Sequence, residues 1–234
     1  VTVVVEPNVR ENLPDRPRQD VLKFVGQDIY ANAFVDVLQA GDKYRDLVEL
    51  TMAEALALET DTFVGVKDVQ VVALASNGFI AQDQTALSYV AADLEVELGD
   101  KGNVYAYVSS LNDLPSLAKG DKFVKASNSA VDYSSAKDIT AELQAYKASQ
   151  IELVSITGKY ASKKIELYYE EGAERPSQPD SVVIEVMNPH ESLALSQYDG
   201  WLVEAKGYTV GQGTNVVYFV PVEVKGVKSL ETIY

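Results

Sequence analysis

The chain contains no cysteine and, among its 234 residues, a single histidine, His190. Without cysteine there is no disulfide framework, no zinc–thiolate centre and no thiolate nucleophile. With one histidine, general acid–base chemistry at neutral pH lacks its usual carrier. Basic charge is also scarce: 20 Lys and Arg stand against 35 Asp and Glu, a formal net charge of -15. A surface of that sign repels phosphate backbones, and no basic patch interrupts it, so no nucleic-acid partner is expected. No apolar run reaches the roughly 20 residues that a membrane-spanning helix needs. Val1–Val5 is apolar but too short for a signal sequence and has no basic flank. A first residue other than Met implies that something upstream was removed, most simply the initiator. Avoidance of cysteine points to a reducing compartment, with an exported protein held together by its core as the alternative.

What is present reads as a folded protein, with 47% hydrophobic and 24% charged residues. Pro7, Pro14 and Pro17 mark residues 1–18 as an extended arm with a β-prone tip, suited to adding to a sheet edge, either a neighbour's or its own. Residues 19–234 are expected to form a single α+β domain, with a possible sub-boundary in the 111–133 loop. Val21, Phe24, Val25, Ile29, Phe34, Val35 and Leu38 follow helical spacing between an Asp20 cap and Gly41. Lys43 to Glu59 leans toward helix on its Ala, Leu, Glu and Met content.

The pattern then turns to strands. Val69–Ala75 is an apolar run followed by the hairpin signal Asn77-Gly78. Leu94–Leu98 and Val104–Ser109 flank a turn-rich Asp100–Asn103 and read as a second hairpin, with 111–132 as loop. Ile139, Leu143 and Tyr146 make one stripe of an expected helix near 136–148. Ile151–Ile156, Lys164–Glu170, Val182–Met187, Trp201–Tyr208 and Val216–Val224 are expected strands, with an exposed loop over Arg175–Asp180. The fold class is therefore α+β and β-rich. Helices are expected mainly in the N-terminal quarter and near 136–148, with an antiparallel β-sandwich or barrel-like sheet elsewhere. No internal repeat is visible.

Candidate sites are few. Gly211-Gln212-Gly213 lies between expected strands and opens no helix, so it reads as a hairpin loop and not a phosphate cradle. His190, in Asn188-Pro189-His190-Glu191-Ser192, reads as a turn histidine, because the Gly-x-Ser-x-Gly elbow of a serine nucleophile is missing. Glu170, Glu171 and Glu174 read as a solvated acidic turn. Tyr198 and Trp201 are the one pair that could stack on a sugar ring. Apolar residues at both ends, Val1, Val3 and Val5 with Ile233 and Tyr234, are the candidate interface. No catalytic, cofactor-binding or metal-binding residue is assigned. The expected function is that of a non-catalytic, homo-oligomeric assembly subunit whose partners are itself or other structural proteins. It would be a virion component (capsid, decoration or tail protein) or a surface-appendage subunit, located in an assembled particle or at the cell surface. A carbohydrate-binding or adhesive β module is the alternative.

Overall fold

The computed structural model describes residues 18–25, 32–39, 41–44, 47–170 and 181–230. The chain divides into two compact units, Val1–Val48 and Glu49–Tyr234. The first holds an antiparallel hairpin, β1 (Arg18–Val25) and β2 (Asn32–Gln39), in register from Arg18↔Gln39 to Val25↔Asn32, followed by a 3-10 turn over Asp42–Tyr44. The helix expected from Asp20 is absent. Val21, Phe24 and Val25 fit a helical stripe, but β-branched and aromatic residues favour the pleated backbone, and Gly26 breaks a helix interior.

In the second unit, β3 (Glu49–Leu50) leads into the one α-helix among the described residues, α1 (Met52–Leu56). Thr51 and Glu54 form a capping box at its start, and Met52 and Ala55 are buried on its inner face. Then come β4 (Phe63–Ala75), β5 (Gly78–Gln82), β6 (Leu87–Ala91), β7 (Asp100–Leu111) and β8 (Leu114–Asn128). They pair in the order β4-β5-β6-β8-β7, and β7 returns to β4, which closes a five-stranded barrel. Only β6–β8 is parallel. Val64, Val66, Val90, Val104, Ala106 and Leu117 point inward and are fully or almost fully buried.

Two expectations are corrected here. The hairpin signalled at Asn77-Gly78 exists, but Asp100–Asn103 is no turn. Gly102 sits inside β7, where a Cβ would meet the Val124 carbonyl oxygen at 2.0 Å, so this glycine marks a close backbone approach at a bulge. The actual turn is Asn112-Asp113, both with left-handed φ (50° and 65°), as a two-residue hairpin loop requires. The expected 111–132 loop is largely β8. Its outer half is exposed at almost every position, so no buried face imposed an apolar alternation.

Next come β9 (Lys137–Asp138), β10 (Glu152–Ala161), β11 (Lys164–Glu166), β12 (Val183–Val186), β13 (Trp201–Gly213) and β14 (Val216–Ser229), close to the expected strands of the last third. The helix expected near 136–148 is instead a series of turns. Asp138 accepts hydrogen bonds from the Thr140 amide (2.9 Å) and hydroxyl (2.6 Å), local bonds that compete with helix formation. Ile139, Leu143 and Tyr146 are still buried together.

This mixed sheet repeats the first. Its order β10-β11-β12-β14-β13 closes through β13–β10, again with one parallel pair, β12–β14, and β9 lies parallel to β10 as β3 does to β4. The match extends to single residues. Lys101↔Ser127, Gly102↔Lys125, Val104↔Phe123 and Tyr105↔Lys122 recur at one constant offset as Leu202↔Lys228, Val203↔Gly226, Ala205↔Val224 and Lys206↔Glu223. Bulges fall at the same places, after Lys101 and Leu202 and after Tyr105 and Lys206. Gly99 (φ 86°) donates to the Val71 carbonyl at 2.9 Å and Gly200 (φ 78°) to that of Tyr160 at 2.9 Å. Their own carbonyls accept from Ser129 (2.9 Å) and Leu230 (3.1 Å). The chain therefore contains an internal structural repeat that its sequence hides.

The two barrels share a third apolar cluster. The first contributes the outward residues Val72, Ala73, Ile80 and Tyr89, and the second contributes Tyr208, Val210 and Val220. Tyr133, from the connecting segment, donates to the Val72 carbonyl at 2.7 Å and meets the Tyr208 ring edge-on at 6.5 Å.

Candidate functional surfaces

Each barrel ends in a cluster built on equivalent positions. In the first, Asp100 opens β7 and is 2% exposed. It accepts from Asn128 Nδ2 (2.7 Å) and the Glu97 amide (3.0 Å), and Lys125 Nζ lies 2.7 Å from its Oδ1 and 2.9 Å from Glu97. Burial by itself would raise the Asp100 pKa, but the bonds from Lys125, Asn128 and the Glu97 amide outweigh it and hold the carboxyl below the ordinary aspartate value. In the second barrel the same positions carry Tyr198, Trp201 and Gly226. The structure does bring Tyr198 and Trp201 together, edge to face with centroids 6.4 Å apart and both partly buried against the core. The Trp201 ring fills the space a side chain at 226 would take, since a Cβ there would lie 2.9 Å from it.

His190 is the cap of a 3-10 turn, Glu191–Leu193, with its Nδ1 2.8 Å from Ser192 Oγ. It lines a cleft of about 60 Å³ at the joint between the barrels, with Ala73, Tyr133 and Pro221. Among the described residues, no hydrogen bond or ion pair ties it to a carboxylate. Burial pushes the Tyr133 hydroxyl well up and that of Tyr208 to about 12. Tyr146, inside the second barrel, is likewise pushed to about 12, by burial and by Glu152. Gly211-Gln212-Gly213 ends β13, and Gly213 pairs with Val216 across a two-residue turn. Gly211 (φ 104°) lets β13 pass against Asn112, whose Nδ2 donates to the Val210 carbonyl at 2.9 Å. Glu170 is exposed, 3.7 Å from Lys228. Glu171, Glu174 and the terminal candidates Val1, Val3, Val5, Ile233 and Tyr234 lie outside the described residues.

Among the described residues, no group of three or more His, Asp or Glu side chains could hold a metal ion, and no helix is long and apolar enough to cross a membrane. The surface that sequence reasoning missed is the β1–β2 hairpin. Val21 (50%), Val25 (66%) and Phe34 (64%) are exposed on one of its faces, and Phe24 (36%) and Val35 (48%) on the other. The signal is present as a cluster of Val and Phe, but the same residues also follow helical spacing. No family model, curated protein or solved structure matches this chain.

Proposed function

We propose that this chain is a structural assembly subunit that acts through protein–protein contacts, as a building block of a virion (capsid, decoration or tail) or of a surface appendage. The observation that carries this reading is the β1–β2 hairpin, two strands with large apolar side chains exposed on both faces. A two-stranded hairpin needs a further strand or another surface over its apolar face to be more than marginally stable in water. Burying one Val or Phe side chain is worth roughly 1.5–3 kcal/mol, so such a hairpin gains most by entering a neighbour's interface.

Negative-stain microscopy and light scattering of the full chain test the reading. The wild type is expected to form multimers, and Phe34→Asp combined with Val25→Asp is expected to shift them toward monomer with unchanged circular dichroism. Multimers indifferent to both substitutions, or no multimers at all, would contradict it.

A further inference from the structure

The joint between the barrels pairs two different faces of one fold. The first barrel contributes its β4–β5–β6 face (Ala73, Ile80, Tyr89) and the second its β13–β14 face (Tyr208, Val210, Val220). Because the barrels repeat, each face has a counterpart at an end of the unit. The register maps Tyr208, Val210 and Val220 onto Tyr107, Ser109 and Ala118 of the first barrel. It maps Ala73, Ile80 and Tyr89 onto Ala161, Lys164 and Glu185 of the second. None of these six belongs to the joint's cluster. A contact between unlike faces does not use itself up, and repeated it builds rings or filaments.

We propose that copies of this chain join head to tail, the Ala161–Lys164–Glu185 face of one docking on the Tyr107–Ala118 face of the next. This rests on the assembly reading above and names its partner as a second copy. The end faces differ from the covered joint in a way that fits a reversible contact. Ile80 and Tyr89 of the joint are replaced by Lys164 and Glu185, which stand directly opposite each other on β11 and β12. Beside Tyr107 stands the pair Lys119–Asp61, 3.1 Å apart with both side chains more than 70% exposed. Each end thus offers one cation and one carboxylate, which can pair crosswise with the other end, giving register and salt sensitivity.

The absence of cysteine makes the test clean. At the in-chain joint Ala73 and Pro221 line the same cleft. Ala73 has its counterpart in Ala161, and Pro221, next to Val220, corresponds to Lys119, next to Val220's counterpart Ala118. A full-length chain carrying both Ala161→Cys and Lys119→Cys, treated with a short bis-maleimide, is expected to give a ladder of multimers. Each single-cysteine chain should give no covalent ladder on a denaturing gel. Adding Lys164→Glu to the double variant should reduce the ladder about tenfold or more, as a carboxylate then meets Asp61 at the contact. High salt should reduce it too. A double variant that stays monomeric, or single variants that cross-link to dimers equally well, overturns the proposal. The hairpin variant separates the two ideas: a ladder that survives Phe34→Asp leaves the head-to-tail contact standing and removes the hairpin from assembly.

Discussion

The two barrels close their ends with opposite chemistry at the same three positions. The first uses Glu97, Asp100 and Lys125, an ion network around a buried carboxylate. The second uses Tyr198, Trp201 and Gly226, an aromatic pair resting on a bare backbone. The backbone beneath is the same, down to the left-handed glycine and its two hydrogen bonds. What defines this fold is therefore strand order, bulge position and glycine conformation, and each barrel caps it with its own set of side chains. The two sets do not mix singly, because Asp100 without Lys125 would leave a buried carboxylate without its cation and Trp201 without Gly226 would clash.

The largest effects should come from the inward residues of the parallel-paired strands. Phe219→Ala is expected to cost about 3–5 kcal/mol and its counterpart Leu117→Ala about 2–5 kcal/mol in urea unfolding, since both are fully buried. If one barrel melted far earlier than the other, the two would be less alike than their registers indicate. Gly226→Lys, which places the first barrel's residue in the second, should cost about 1–3 kcal/mol by overpacking against Trp201. Adding Tyr198→Glu and Trp201→Asp, to complete the ion set, should recover part of that loss. No recovery would show that the sets do not transfer.

The joint can be probed by alkali. Tyr208 is buried there with its pKa raised to about 12, and Tyr146 is raised similarly inside the second barrel. A folded pKa above the unfolded value of about 10 stabilises the fold below pH 10, and that contribution disappears as pH rises toward 12. For Tyr208 it amounts to about 3 kcal/mol, and Tyr208→Phe should flatten the alkaline limb of the stability profile. Asp100 works in the opposite direction. Its depressed pKa stabilises the fold above the unfolded value of about 3.9 and is lost as pH falls below it, so Asp100→Asn should blunt acid unfolding. The smallest effect belongs to Lys206–Glu223, a 3.0 Å surface pair where the first barrel has Lys122 over the Tyr105 ring. Lys206→Ala should cost less than about 1 kcal/mol.

The strands of the last third were legible because Val, Ile and Tyr alternate there between turn formers. The hairpin β1–β2 was not, because Val21, Phe24 and Val25 satisfy a helical stripe as well as a strand. The repeat was hidden because equivalent inward positions preserve only apolar character, as Val104 and Ala205 or Leu117 and Phe219 do. Outward positions invert, as Lys125 and Gly226 do. A trace survives at the start of each barrel, where Glu49-Leu50-Thr51-Met52-Ala53-Glu54 corresponds to Asp138-Ile139-Thr140-Ala141-Glu142, too short to stand out in 234 residues. Of the candidate surfaces, the Tyr198–Trp201 pairing could be read from spacing. The joint could not, since it depends on which faces of a closed barrel turn toward each other.

Sedimentation velocity of the full-length wild-type chain over a wide concentration series tests most directly whether this molecule works by contact with its own kind. The account predicts a weight-average mass that climbs with concentration and falls back in high salt. A single monomeric boundary at every concentration would contradict it.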